Sequence, residues 1–226
     1  MCGRYTLAKD LAEIKKRFDV TEAPKDFKPR YNIAPNQQVP IILLDGEKKI
    51  RKMGLARWGL IPSWADDPSI GNRMINARSE TITTKPSFKN LFKKRRCIVP
   101  ADSFYEWKKI SAKEKIPVRV LLTNEEPFGF AGLWTTWRPG NGNPIVSCVI
   151  ITTEPNEMMA EIHNRMPLIL DEKNERLWID PAVDDEELLK SFLKPYPSTN
   201  MKCYPVSRYV NSPANDTPKC VEPIRP

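Results

Sequence analysis

Proline is the residue type that most restricts the fold of this chain, since it occurs 22 times in 226 residues while glycine occurs 9 times. A proline fixes its own φ angle and donates no backbone hydrogen bond, so helix interiors and central strands exclude it. Many of these prolines lie beside apolar runs and divide the chain into short segments. We therefore expect no long helix, and a fold built from short elements joined by stiff turns.

Apolar runs of strand length dominate the middle of the chain, which indicates that sheet forms most of the core. Asp45-Gly46 is typical of a hairpin turn between the first two of these runs. Strands are predicted at residues 39–44, 49–60, 96–100, 104–110, 117–122, 128–137 and 145–152.

Helices are predicted at four places. Apolar residues recur at helical spacing over residues 7–18, with Thr6 placed to cap the first turn. A short helix is predicted around residues 87–94, within a basic cluster that ends at Arg96. Another begins at residues 153–156, with a proline in its first turn, and a late acidic helix covers residues 184–193.

The length suits one core, and we expect one domain over residues 1–210 followed by an irregular tail over residues 211–226. The net charge is +8 and is unevenly placed. Residues 1–120 hold 26 basic and 13 acidic side chains, whereas residues 121–226 hold 10 and 15. A basic half favours a polyanion as partner, although a solvated basic surface gives the same composition.

The composition also excludes several classes of site. One histidine and five cysteines without a Cys-x-x-Cys pair exclude zinc fingers and sites built from several imidazoles. We expect no metal and no organic cofactor. No apolar stretch approaches the roughly 20 residues that span a bilayer, and no signal peptide is evident, so we expect a cytoplasmic protein with reduced thiols and no membrane partner.

Cys2 follows the initiator methionine directly. Removal of Met1 would leave an amino-terminal cysteine, in which an amine of reference pKa ~8 lies beside a thiol of reference pKa ~8.5. Such a 1,2-aminothiol captures aldehydes, because the amine forms an imine and the thiol then closes a thiazolidine ring. Two alternatives remain: Cys2 is only a small second residue, or it is a nucleophile that uses its own amine as base.

Eight sequence blocks share one order along residues 2 to about 170, and together they resemble the SOS-response-associated peptidase family. The blocks are Cys2-Gly3-Arg4-Tyr5, Arg30-Tyr31-Asn32-Ile33-Ala34-Pro35, Arg57-Trp58-Gly59-Leu60-Ile61-Pro62-Ser63-Trp64, Asn76-Ala77-Arg78-Ser79-Glu80-Thr81, Arg96-Cys97-Ile98-Val99-Pro100, Phe104-Tyr105-Glu106-Trp107, Ala131-Gly132-Leu133-Trp134 and His163-Asn164-Arg165-Met166-Pro167. The family consists of abasic-site processing proteins that cross-link themselves to abasic sites in single-stranded DNA. The resemblance implies an α+β fold, a single domain with a mixed, largely antiparallel, barrel-like sheet core flanked by short helices.

The resemblance also implies roles for four catalytic residues. Cys2 would form the thiazolidine with the ring-opened sugar, and Glu106 would assist the proton transfers. Asn76 would hydrogen-bond the opened sugar or Cys2, although an asparagine at this position could equally cap a turn. His163, the lone histidine, would exchange protons with the sugar during ring opening and reversal of the cross-link.

Six further residues are implied as DNA contacts. Arginines match phosphate geometry, and tryptophans stack on bases without regard to sequence. At least one of the tryptophans is expected in the core instead. The candidates are Arg4, Arg78, Arg165, Trp58, Trp64 and Trp107.

The resemblance therefore implies a protein that senses abasic sites in single-stranded DNA, traps them covalently and shields them from strand cleavage, and we expect it to be a monomer. Weak lyase activity and autocatalytic removal of Met1 are compatible with the same residues. Two other functions remain open: a thiol peptidase assembled from Cys2, His163 and Glu106, and a non-covalent single-strand binding module.

Overall fold

The computed structural model describes residues 2–224, so Met1 and the last two residues of the predicted tail lie outside the described residues. The elements are short throughout, as the prolines predict. The α-helices are α1 Leu11–Phe18, α2 Lys89–Lys94, α3 Glu157–Ala160, α4 Glu172–Ile179 and α5 Glu186–Ser191. The strands are β1 Tyr5–Leu7, β2 Val20–Glu22, β3 Arg30–Ile33, β4 Gln38–Leu44, β5 Arg51–Trp58, β6 Asn76–Arg78, β7 Arg96–Ala101, β8 Ser103–Lys109, β9 Lys115–Leu122, β10 Phe128–Trp137, β11 Ile145–Thr153, β12 Met166–Pro167, β13 Ile169–Leu170 and β14 Met201–Pro205.

Five strands close into a barrel in the order β4, β5, β11, β10 and β7. Four of the five pairings are antiparallel, and the parallel pairing of β5 with β11 completes the ring. Closure removes the exposed strand edges of an open sheet. The predicted α+β single domain with a mixed, largely antiparallel barrel is confirmed.

A second sheet has the order β14, β9, β8, β1 and β3, with antiparallel pairing throughout. Its inner face packs on the barrel through aromatic side chains. The Tyr5 ring meets the rings of Trp58 and Phe130 edge to face, with centroid distances of 5.3 and 5.8 Å. Each such pair contributes about 0.5–1.5 kcal/mol beyond its burial. These contacts fix the amino-terminal strand against the barrel.

The helix predicted over residues 7–18 begins later, at Leu11. The preceding residues form β1, because they pair with both β3 and β8. Asp10, not Thr6, is the N-cap, and it forms a capping box with Glu13. The Thr6 hydroxyl instead bonds Asp102 and Ser103. Leu7, the first apolar residue of the helical pattern, therefore lies in a strand, because its pairing with neighbouring strands outweighs the local pattern.

The seven predicted strands are confirmed to within two residues at each end. The predicted hairpin turn at Asp45-Gly46 is confirmed, since β4 and β5 pair antiparallel across it, but the turn extends over residues 45–50 and the returning strand begins at Arg51 and not at Lys49. The third predicted helix was also placed too early. Asn156 caps α3, so Pro155 precedes the helix instead of lying in its first turn.

Several side chains of the basic cluster around α2 form hydrogen bonds or ion pairs within the fold. Arg96 is buried and donates to backbone carbonyls, including those of Phe92 and Asp180 at 2.8 and 2.6 Å. Lys93 forms an ion pair with Glu186 at 3.3 Å. This cluster therefore offers less free charge than the sequence indicates. Within residues 2–224, every helix is too short or too polar to span a bilayer.

Candidate functional site

Cys2 lies just before β1, beside the strand that carries Glu106. The pairing of Tyr5 with Phe104 continues toward the amino terminus, where the Tyr105 amide donates to the Arg4 carbonyl at 2.9 Å. The Cys2 side chain is fully buried. Burial, and then the negative charge of Glu106, raise the pKa of the Cys2 thiol well above its ordinary value. The thiol is therefore protonated at neutral pH.

Glu106 is a buried carboxyl on the inner face of β8, opposite Val118. Burial raises its pKa to about 7, because the low-dielectric surroundings disfavour the charged form. A carboxyl with this pKa can both hold and release a proton at neutral pH. Glu106 thus has the protonation behaviour that acid–base chemistry needs.

Asn76 begins β6, which runs parallel to β11 with Asn76 opposite Ile150. The Trp58 ring nitrogen donates to the carbonyl of the preceding residue, Ile75, at 2.9 Å, and the same ring packs on Tyr5. This contact chain brings Asn76 to the β1 side of the barrel. Both polar atoms of the Asn76 side chain are buried and make no hydrogen bond within residues 2–224. Such an amide has its full bonding capacity available for a ligand.

His163 follows α3, and its backbone amide donates to the Met159 carbonyl at 2.8 Å. The Arg165 backbone amide donates to Nδ1 of the ring at 3.1 Å and so helps to orient the imidazole. Burial lowers the pKa of His163 below its usual value. The imidazole is therefore predominantly neutral at pH 7, the state in which it can accept a proton.

The charge of Lys115 affects both Glu106 and His163. It begins β9, opposite Lys109 of β8. Burial is the largest influence on both groups, since it raises the pKa of Glu106 and lowers the pKa of His163, and the positive charge of Lys115 lowers the pKa of both. Glu106 and His163 therefore lie within the electrostatic range of one lysine. Lys115 could not be identified from the sequence, since it belongs to no motif and only the pairing of β8 with β9 places it here.

The three arginines predicted to bind phosphate differ in their availability. Arg78 is exposed and makes no hydrogen bond or ion pair within the described residues. Arg165 donates to both carboxylate oxygens of Glu80 and to the Thr152 carbonyl. Burial lowers the pKa of Arg4, which donates to the Asn32 side chain. Arg78 is thus the arginine of this set that is ready to receive a phosphate.

The three tryptophans predicted to contact DNA differ in their exposure to solvent. Trp58 is fully buried between the barrel and β1, so its ring is not available to stack on a base. Trp64 is 61% exposed, in the loop after β5. Trp107 is partly exposed, and its ring nitrogen donates to the Asn211 side chain at 2.9 Å. Trp58 is therefore the core member, and Trp64 offers the most open stacking surface.

The fold is similar to those of solved proteins. A protein from Bacteroides thetaiotaomicron superposes with a TM-score of 0.89 at 26% identity, covering 99% of this chain and 100% of that one. A phage-related protein from Bordetella bronchiseptica superposes with a TM-score of 0.70 at 28% identity, covering 91% of this chain and 94% of that one.

Sequence relatives carry a more specific description. The abasic site processing protein YoqW of Bacillus subtilis (strain 168) is 47% identical over 224 residues, which are 98% of this chain and 99% of YoqW. The abasic site processing protein HMCES of Xenopus tropicalis is 34% identical over 227 residues, covering 88% of this chain and 67% of HMCES. The sequence profile of the SOS response associated peptidase (SRAP) family matches residues 1–213. The chain belongs to the SRAP family.

Proposed function

We propose that this protein captures abasic sites in single-stranded DNA as a covalent thiazolidine on Cys2, after removal of Met1. The observation that carries the proposal is the burial of Cys2 beside Glu106, a carboxyl with a pKa of about 7. Relatives named abasic site processing proteins support the substrate class. An abasic sugar in its ring-opened form presents an aldehyde, the electrophile that a 1,2-aminothiol captures.

The chemistry balances without an external reagent. The free amine of Cys2 adds to the aldehyde carbon and forms a carbinolamine, which loses one water to give the imine. The thiol sulfur then adds to the imine carbon, and its proton goes to the nitrogen. The ring that closes contains the sulfur, the nitrogen and the former aldehyde carbon. The net change is the loss of one water, with no change of oxidation state.

The raised pKa of the Cys2 thiol indicates the order of these steps. The thiol is protonated at neutral pH, whereas an α-amine of reference pKa ~8 is partly free base. The amine therefore attacks first, and the thiol delivers its proton as it closes the ring. Removal of Met1 is required, because an acylated Cys2 nitrogen is not nucleophilic.

Glu106, Asn76 and His163 have distinct parts in this scheme. Glu106, protonated on part of the molecules at pH 7, donates to the departing hydroxyl of the carbinolamine. Asn76 offers its amide, which makes no hydrogen bond within residues 2–224, to the hydroxyls of the opened sugar. His163, kept neutral by burial, accepts a proton from the sugar during ring opening. The imine also acidifies the neighbouring sugar carbon, so slow β-elimination gives weak lyase activity.

Arg78 and Trp64 extend the site toward the nucleic acid. A guanidinium without an internal partner among the described residues suits a phosphate flanking the lesion. The exposed Trp64 ring suits an adjacent unpaired base. Both contacts tolerate any sequence, as a protein that recognises a missing base requires. A single strand supplies the unpaired neighbours that the tryptophan needs.

A denaturing gel tests the proposal. Processed protein is mixed with an oligonucleotide that carries one abasic site, and the expected result is a shifted band that survives heating. Cys2→Ala should give no such band, whereas Cys203→Ala, which removes an exposed thiol of β14, should match the wild type. An equal band from Cys2→Ala, or from an intact oligonucleotide, would show that Cys2 does not capture the aldehyde.

A further inference from the structure

A segment near the carboxyl terminus covers the outer face of the second sheet next to the candidate site. It consists of residues 207–216, which we call the C-terminal clamp, and it includes a 3₁₀ turn at Arg208–Asn211. The clamp falls partly in the region predicted as an irregular tail, and its last three residues lie beyond the family match. None of its residues was singled out from the sequence.

Side chains of β3 anchor the clamp. The Asn32 amide, which is fully buried, donates to the carbonyls of Val210, Ser212 and Asn215 at 3.1, 3.0 and 2.7 Å. The Asp216 carboxylate accepts the Asn32 backbone amide at 3.0 Å and pairs with the Arg30 guanidinium. The two N–H groups of this buried amide, one of them shared between two carbonyls, hold the clamp in a single position on the sheet.

The clamp contacts the neighbours of both reactive residues. Arg4, two residues after Cys2, donates to the Val210 carbonyl at 2.7 Å and more weakly to the Asn211 carbonyl at 3.4 Å. Trp107, which follows Glu106, donates its ring nitrogen to the Asn211 side chain at 2.9 Å. The Arg4 guanidinium also lies over the Trp107 ring, 5.7 Å from its centroid.

We infer that Asn211 is a positioning residue, whose side chain holds the Trp107 ring in the conformation that receives a DNA strand beside the lesion. The inference rests on the proposed function, which it extends to the carboxyl-terminal region. Trp107 is partly exposed, so it has a face for a base once its edge is fixed. Fixing the ring before binding lowers the entropy cost of association.

The Asn211 side chain affects the binding of DNA and not the chemical steps. Strand pairing already holds Cys2 and Glu106, as the Tyr105 amide bonds the Arg4 carbonyl at 2.9 Å. Loss of the Asn211 side chain would free only the Trp107 ring. The affinity for DNA should therefore fall, while the rate of cross-linking at saturating DNA should not.

A double-mutant cycle tests this. Asn211→Ala, Trp107→Phe and the double variant are compared for the Kd of an intact single strand, the cross-linking rate at saturating abasic strand, and thermal stability. Asn211→Ala should raise Kd about five-fold, as expected for one hydrogen bond, and change the rate less than two-fold. The double variant should bind no more weakly than Trp107→Phe alone, because both remove the same bond. Asn124→Ala, which removes a similar side-chain acceptor in the β9–β10 turn, is the matched control and should match the wild type.

The inference is overturned if Asn211→Ala folds and binds with unchanged Kd, if the effects of the two substitutions multiply, or if the rate falls at constant Kd. Should Asn211→Ala unfold at the assay temperature, Trp107→Phe removes the same hydrogen bond from the other side. An unchanged Kd in that variant would then overturn the inference. A wild-type protein that binds strands without cross-linking would instead contradict the proposed function. The Kd values of the double-mutant cycle would still test the role of Asn211, because they are measured on an intact strand.

Discussion

The Arg165 guanidinium donates to both carboxylate oxygens of Glu80, at 2.5 and 3.0 Å. Glu80 lies in the 3₁₀ turn that follows β6, four residues after Asn76, while the Arg165 amide nitrogen lies 3.1 Å from the His163 ring. The same guanidinium donates to the Thr152 carbonyl of β11 at 2.6 Å. This ion pair therefore ties the element that carries Asn76 to the segment that carries His163.

Removal of Glu80 should slow cross-linking without weakening strand binding. Glu80→Ala releases Arg165 and loosens the His163 segment, so we expect a rate about ten- to a hundredfold lower, as for a small misplacement of reacting groups. The Kd for an intact strand should stay within two-fold. Glu125→Ala, which breaks a comparable exposed ion pair with Lys202, should change neither quantity. Tighter strand binding by Glu80→Ala would show instead that Arg165 is a phosphate ligand that Glu80 blocks.

Glu106→Gln should change the pH dependence of stability. In the wild type the folded-state pKa of about 7 lies above the ordinary value of 4.5. Its contribution to stability is fully present below pH 4.5 and is lost as the pH rises through 7, because the folded state then releases a proton that it holds more tightly than the unfolded chain. Glutamine lacks this dependence. The stability of Glu106→Gln relative to the wild type should therefore rise by about 3 kcal/mol between pH 4.5 and 8, as measured by urea unfolding.

The same substitution should lower the cross-linking rate by about a hundredfold, the lower range for loss of a general acid or base. A variant that is more stable than the wild type at pH 8 but less active would show that the buried Glu106 carboxylate lowers the stability of the fold and is needed for the reaction. A pH-independent stability difference would show that Glu106 does not carry the raised pKa. An unchanged rate would exclude it from proton transfer.

Much of the barrel could be predicted from the sequence, since β10 and β11 are apolar runs bounded by turn residues. The start of α1 could not, because helical spacing and strand pairing compete for residues near Leu7 and only the neighbours β3 and β8 decide between them. Local pattern does not report such long-range pairing.

The candidate site shows the same division. The motif blocks, which keep their order along the chain, predict Cys2, Glu106, Asn76 and His163 as site residues. Asn211 contacts Trp107 and Glu80 contacts Arg165 across 104 and 85 residues of sequence, so no local spacing reveals these contacts. The burial that separates Trp58 from Trp64 likewise follows from the packing of the second sheet on the barrel.

Trp58 and Trp64 should respond oppositely to substitution. Trp58→Ala removes a fully buried ring and should cost about 3–5 kcal/mol of stability. Trp64→Ala should leave the unfolding free energy nearly unchanged and weaken single-strand binding by about 1–3 kcal/mol, the value of one stacked base. Thermal unfolding and fluorescence anisotropy separate the two effects. Unchanged binding by Trp64→Ala would remove its ring from the DNA interface.

His163→Ala should still cross-link, but more slowly, since the amine and thiol of Cys2 remain in place. The neutral imidazole is lost as a proton acceptor during sugar ring opening, so the rate should fall by about a hundredfold. Release of the abasic strand from a preformed cross-link should slow as well. Time courses of formation and release test both directions, and unchanged rates in both would exclude an acid–base role.

Intact mass spectrometry of the protein after reaction with an abasic oligonucleotide tests the central claim most directly. Capture by Cys2 predicts a protein that lacks Met1 and an adduct whose mass is the sum of protein and oligonucleotide minus one water. Fragmentation should place the added mass on Cys2. An unmodified protein, an adduct on a chain that retains Met1, or an adduct on a lysine would contradict the account.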